Sequence, residues 1–283
     1  MDIRSIEKTE KFGYMFYVKY SGTKFQSFDE MAGKRSVKGY FREVMEKVGF
    51  SWAKGVQQAG RTDAKVSATE NILYVSSNYS GDKRELQDRF NELSNGDLKV
   101  TMIKKTLPNL VFPECIKRRE YIYEYPRKRV KNTLEEIENL CKKLSGKYDV
   151  SEFTDKKGLE LKEHIREVEI NYRDGKLYFS GNSFMPKQVR MMSGYILTGK
   201  KEAIEGKYLT LSKIILEDEL KRNIFEEISD LKIESVEKIE SNADRSIYIF
   251  YTLKSKKGEL IGKNGKNIKA LKKTYGTVVV REI

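Results

Sequence analysis

Apolar residues in this chain recur first at every second position and then at helical spacing, and this alternation is written twice. Tyr14, Phe16, Val18 and Tyr20 share one face of a predicted strand that runs into the turn Ser21-Gly22-Thr23. Val37, Tyr40, Phe41, Val44 and Val48 then follow the helical period. Past a turn at Gly60, Ile72 to Val75 reads as a strand, and Leu86, Phe90 and Leu93 read as a helix that Asp82 can cap. Leu98 to Ile103 and Arg119 to Tyr125 read as further strands, the second ended by Pro126. A second unit opens on the capping box Thr133-Leu134-Glu135-Glu136 and a helix through Ile137, Leu140, Cys141 and Leu144. It continues with a hairpin, Ile165 to Tyr172 and Lys176 to Phe179 around Asp174-Gly175. A helix through Phe184, Val189, Met192 and Ile196 follows, with Pro186 in its first turn. Two units of the same grammar predict an α+β fold whose halves, about 1–130 and 131–220, share one sheet.

Charge narrows the function. Lys and Arg number 55 against 42 Asp and Glu, a formal net charge of +13, and such an excess attracts polyanions through counterion release. No apolar run is long enough to span a bilayer, and no basic amphipathic helix with an aromatic face stands out, so nucleic acid is the expected partner and a membrane is not. Met1-Asp2-Ile3-Arg4-Ser5 lacks the apolar stretch of a secretory signal, which predicts a cytoplasmic protein. Cys115 and Cys141 form no CxxC pair and His164 is the only histidine, so neither a zinc site nor histidine-based nucleophilic catalysis is expected. The chemistry is left to carboxylate, tyrosine, lysine or arginine.

Two motifs carry that chemistry. Gly60-Arg61-Thr62-Asp63-Ala64 sets a carboxylate beside a guanidinium on a glycine-led turn, where Asp63 can act as nucleophile or base and Arg61 can hold a phosphate. A charged helix-like segment from Lys221 to Asp230 begins a separate module, 221–283, with a strand at Ser246 to Leu253. There Ile261-Gly262-Lys263-Asn264-Gly265-Lys266-Asn267-Ile268 places two glycines around basic and amide residues, so the backbone can approach a phosphodiester chain closely. With a helix continuing through Leu271 and a closing strand at Thr277 to Arg281, this segment resembles a KH domain, and Gly262, Lys263, Asn264, Gly265 and Lys266 become candidate RNA contacts.

Over roughly residues 14 to 220 the chain resembles the TruA-type pseudouridine synthases. The resemblance is carried, in order, by Tyr20-Ser21-Gly22-Thr23-Lys24-Phe25, by Gly60-Arg61-Thr62-Asp63-Ala64, by Arg119-Glu120-Tyr121-Ile122-Tyr123, and by Gly181-Asn182-Ser183-Phe184-Met185 with Gln188-Val189-Arg190-Met191-Met192 and Gly194. It implies two ferredoxin-like halves on a shared mixed sheet, a homodimer, and isomerisation of uridine to pseudouridine in tRNA, in the anticodon stem-loop, with no cofactor and no metal. Asp63 is then the essential carboxylate, either a nucleophile on the sugar or a base that removes a sugar proton. Tyr121 is implied to stack on the uracil and assist proton transfer, and Arg190 to pair with Asp63. Arg61, Lys65 and Arg119 are further candidate RNA contacts. The family continues its signature with Gly-Val-His-Ala, whereas this chain has Lys65-Val66-Ser67-Ala68, which touches the loop that carries Asp63. The competing reading is a catalytically silent RNA-binding or RNA-chaperone protein that works through the KH-like module.

Overall fold

The structure is a computed structural model that describes Ile6 and residues 9–283; Met1 to Ser5, whose sequence bears on secretion, lie outside the described residues. The first half runs β1 (Phe12–Tyr20), α1 (Val37–Lys47), β2 (Gln57–Gln58), β3 (Ser67–Ser77), α2 (Lys83–Leu93) and β4 (Leu98–Thr106). The second runs β5 (Ile116–Tyr123), α3 (Leu134–Leu144), β6 (Gly146–Asp149), α4 (Lys156–Leu159), β7 (Ile165–Arg173), β8 (Lys176–Gly181), α5 (Gln188–Thr198) and β9 (Leu209–Leu216). Local signals set several of these boundaries. Asp82 accepts from the backbone N–H groups of Arg84 and Glu85 at the start of α2, and Thr133 with Glu136 closes a reciprocal capping box on α3. Asp174 and Gly175 take φ of 52° and 76°, the left-handed pair that a two-residue hairpin turn requires.

Among the described residues these strands form one nine-stranded sheet in the order β4-β1-β3-β9-β5-β8-β7-β6, with β2 beside β3. The first half has the β-α-β-β-α-β order, the second adds the short α4 and one more strand to it, and the halves meet where β3 and β9 run parallel. That seam is short. On β3, β9 pairs with Ser67 and Ala68 alone, whereas β2 pairs with Leu73 and Tyr74 on the same strand. The sheet therefore opens beside the first residues of β3, and the segment between β2 and β3 folds into the opening. Aromatic packing closes the first half, with Phe16 edge-on to Phe41 and Phe50 at 5.2 and 5.3 Å.

A second, four-stranded sheet follows α6 (Asp218–Arg222), in the order β10 (Glu226–Glu227), β11 (Lys238–Ser241), β12 (Ile247–Thr252) and β13 (Thr277–Glu282). Between β12 and β13 lie α7 (Lys257–Ile261), the Gly262 to Gly265 loop and α8 (Lys266–Tyr275).

Two local expectations are corrected. The helix expected from Lys221 to Asp230 is confined to α6, because Phe225 is buried and its backbone bridges to Lys105 at the edge of β4, a tertiary contact that overrides helical propensity. Phe184 and Pro186 precede α5 instead of opening it; the chain enters that helix through Lys187 at φ 61°, a left-handed residue that cannot be helical.

Candidate active site

The segment from Ala59 to Val66 lies in the opening between β2 and β3, and buried polar groups hold it there. Asn71, fully buried on β3, accepts from the Gly60 N–H at 3.1 Å and donates to the Gly60 carbonyl at 2.7 Å. Thr62 turns inward and shares a hydrogen bond of 2.9 Å with the Tyr20 hydroxyl at the end of β1. The Val66 N–H donates to the Asp63 carbonyl, closing the turn. Two glycines allow the loop to sit this deep. A methyl on Gly22 would collide with the Val66 carbonyl, and one on Gly206 would lie 2.6 Å from the Ala64 carbonyl oxygen.

Asp63 emerges from this loop with its side chain 32% exposed, and Arg190 on α5 reaches it from the other half of the sheet, Nη1 to Oδ2 at 3.1 Å. Arg190 Nε donates to the Ile204 carbonyl at 2.7 Å, so the guanidinium is held from both ends. Tyr121 stands on β5, paired with Phe179 on one side and Leu211 on the other. Burial is the main reason its phenol titrates well above the ordinary tyrosine value, with Tyr20 and Asp63 adding to the rise. The Tyr121 side chain is therefore neutral across the working range of pH. Phe184 meets Tyr121 edge to face, with centroids 5.3 Å apart. Asp63, Tyr121, Phe184 and Arg190 all line one cleft of about 460 Å³, with Val66, Met185, Val189 and Leu209 as its apolar wall. At the rim, Lys187 and Asp155 form an ion pair of 3.0 Å.

The remaining candidates sit differently. Arg61 does not pair with its neighbour Asp63; its Nε lies 2.8 Å from Asp29, and its side chain is largely exposed. Arg119, expected to hold RNA, has its guanidinium occupied by the carbonyls of Ala59 and Asn182, so it positions the Asp63 loop and the approach to α5. Lys65 is exposed at φ 66°, the left-handed conformation that a glycine adopts without cost. Ser67 accepts from the Gly22 N–H at 3.0 Å and so ties the loop to the turn after β1. Gly262, Lys263, Asn264, Gly265 and Lys266 lie far along the chain on the loop between α7 and α8. Gly262 and Gly265 are at φ 73° and 72° and Asn264 at 56°. Among the described residues no group of three or more His, Cys, Asp or Glu could hold a metal ion, and no helix is long and apolar enough to cross a membrane.

Sequence reasoning missed Asn71 and Phe184 as site residues. Asn71 directly precedes the apolar run Ile72 to Val75, a weak signal of a buried polar role. Phe184 reads as an apolar position of the expected helix and as part of the Gly181 to Met185 motif, with nothing in either to mark it as a cleft residue.

Known proteins resemble the chain in two separate stretches. Residues 219–281 match the family described as KH domain. The chain is 25% identical over 205 residues to tRNA pseudouridine synthase A of Streptococcus pneumoniae (strain 70585), covering 65% of this chain and 82% of that protein. It is 26% identical over 210 residues to tRNA pseudouridine synthase A of Oceanobacillus iheyensis, covering 65% and 80%. A chain from a structure titled "Crystal Structure of a Cbf5-Nop10-Gar1 Complex" superposes with a TM-score of 0.36 and 12% identity, over 72% of this chain and 51% of that one, too distantly to inform the fold.

Proposed function

We propose that this relative of the tRNA pseudouridine synthases A isomerises uridine to pseudouridine in tRNA, at a position in the anticodon arm, with Asp63, Tyr121 and Arg190 as its catalytic residues. The observation that carries the reading is the pairing of Asp63 with Arg190 inside a cleft that also holds Tyr121 and Phe184. In the reaction the bond from uracil N1 to the sugar breaks, the ring turns, and C5 bonds to the same sugar carbon. N1 gains a proton and C5 loses one, so atoms and electrons balance without a redox partner.

Each group has work in that sequence. Arg190 aims the Asp63 carboxylate, whether the carboxylate attacks the sugar or takes a sugar proton. Tyr121, neutral and edge-on to Phe184, offers a flat wall for a uracil that must leave its stack to be worked on. In this reading its neutral hydroxyl passes a proton and does not act as a phenolate. The changes at Lys65 and Ser67 leave this machinery in place, since Lys65 points to solvent and Ser67 braces the loop. Activity in the cytoplasm and as a homodimer are further expectations of the family resemblance, the second readable by sedimentation.

Loss of the C5 proton supplies the test. tRNA transcripts carrying tritium at uridine C5 should release it to water with the wild-type protein, and release should fall to background with Asp63→Asn. Absence of release from wild type on every tRNA tried would refute the enzyme reading and favour RNA binding without chemistry.

A further inference from the structure

The C-terminal sheet has no free back. β12 is buried along its whole length, and alternate residues of a strand face opposite ways, so both faces are covered. Tyr248 and Phe250 pack with Ile239, Leu260 and Val278 in a core of the module's own. Ile247, Ile249 and Tyr251 of the same strand, with Val279 of β13, join the core of the large sheet. At the centre of that contact, the Lys105 ammonium on β4 donates to the Glu240 carboxylate at 3.1 and 3.3 Å and to the Tyr251 hydroxyl at 2.9 Å. Tyr251 in turn donates to Glu240 at 2.7 Å, and the Lys105 and Glu240 side chains are 6% and 0% exposed. Around this cluster the Thr106 hydroxyl donates to the Asn223 carbonyl, and Arg281 reaches the carbonyls of Ile6 and Thr9. Domains joined by a linker move by default, but a shift of this sheet would leave the buried Lys105 ammonium without Glu240 and Tyr251, whereas Glu240 keeps Lys238 of its own strand at 3.2 Å. The module is held in one pose.

That pose separates the two functional loops. The cleft opens at the seam of β3 and β9, two strands from β4, which is about 10 Å along the sheet. The helices α7 and α8 pack on the face of the C-terminal sheet turned away from β4, a further layer of about 10 Å. Between them the loop is built and exposed. A methyl on Gly262 would lie 2.6 Å from Asn267 Cγ, whose amide donates to the Glu259 carbonyl, and Lys263, Asn264 and Lys266 face solvent.

We propose that the module is a fixed second foot on the RNA. Its loop grips a single-stranded segment outside the anticodon arm of the same molecule, and its rigid seat sets the distance from that segment to the cleft, so substrates are chosen by spacing. The inference rests on the reading of the cleft as a site for a uridine of the anticodon arm and extends it to how the whole RNA is selected.

The test reads equilibrium binding of tRNA transcripts whose anticodon stem is of natural length or is lengthened by one, two or three base pairs. Two contacts on one rigid body reinforce each other through effective concentration, so losing one should weaken binding roughly a hundredfold. Wild type should lose that factor on the lengthened transcripts. The double variant Lys263→Asp, Asn264→Asp should lose it on the natural transcript and then be indifferent to stem length; Lys266→Glu should move the same way. Equal binding of natural and lengthened transcripts by wild type would overturn the spacing rule, and equal binding of the natural transcript by wild type and loop variants would overturn the second foot. Because affinity is read, failure to form pseudouridine would refute the reading of the cleft and leave the spacing result to stand or fall by itself.

Discussion

Arg190 holds Asp63 with one end of its guanidinium and the Ile204 carbonyl with the other, so charge and geometry are separable at this residue. Arg190→Lys keeps a cation but cannot make both contacts. We expect it to lower the single-turnover rate at least tenfold while tRNA affinity changes little, a pattern that simple loss of RNA contact would not produce. Lys65 offers an opposite prediction. Its left-handed backbone is costly for a residue with a side chain, and that side chain is exposed. Lys65→Gly should stabilise the fold by roughly 0.5–1 kcal/mol in urea denaturation, the relief of strain exceeding the entropy that glycine adds to the unfolded chain. For Tyr121, burial raises the phenol above its ordinary pKa of about 10, so the hydroxyl stays protonated as pH climbs toward that value. The alkaline limb of the rate profile should be the same in wild type and Tyr121→Phe; a limb near pH 10 present only in wild type would show that the phenol titrates. At this scale Asp63, Tyr121 and Arg190 stand out in the sequence because each lies in a motif of ordered residues, and the fold brings the three to one cleft. Asn71 does not, since its role arises from chain segments that approach only on folding; Phe184 lies in one of those motifs, but its contact with Tyr121 likewise exists only in the folded chain.

The elements that carry the site depend on close backbone approaches. Gly206 lets the segment before β9 lie against the Ala64 carbonyl, and Asn71 supplies two hydrogen bonds to the backbone of Gly60. Asn71→Ala leaves a buried N–H and a buried carbonyl without partners, and we expect a loss of roughly 2–3 kcal/mol in stability. Gly206→Ala should instead push the Asp63 loop outward and lower activity with a smaller change in melting temperature. Elements set by local chemistry were readable in advance: the capping box of α3, the Asp82 cap of α2 and the Asp174-Gly175 hairpin each state their own geometry. β10 was misread as helix because its partner strand and the pocket for Phe225 lie elsewhere in the chain. The start of α5 was misread for a related reason, since Pro186 suits a first helical turn equally well as a loop against the cleft wall.

At the scale of the molecule, the two sheets are joined through a buried ion pair. Burial raises the Glu240 carboxyl, but the Lys105 ammonium, the Tyr251 hydroxyl and Lys238 together hold it below the ordinary glutamate value. A depressed carboxylate contributes stability that is present above its unfolded pKa and is lost as pH falls through the folded one. Thermal unfolding of wild type should therefore steepen its decline below pH about 4, and the double variant Lys105→Met, Glu240→Gln should decline less over the same range. That the chain holds two modules was readable from the GXXG loop and the change of grammar after residue 220. That they share a core was not, because β12 reads as an ordinary apolar strand and nothing in it says that its two faces meet different partners. We propose that Asp63 carries out uridine isomerisation in the anticodon arm. Unmodified tRNA transcripts incubated with wild type and with Asp63→Ala, then mapped by carbodiimide primer extension, test it most directly. Stops within the anticodon arm for wild type and none for Asp63→Ala are the predicted result; no stops for wild type, or stops that survive Asp63→Ala, would contradict it.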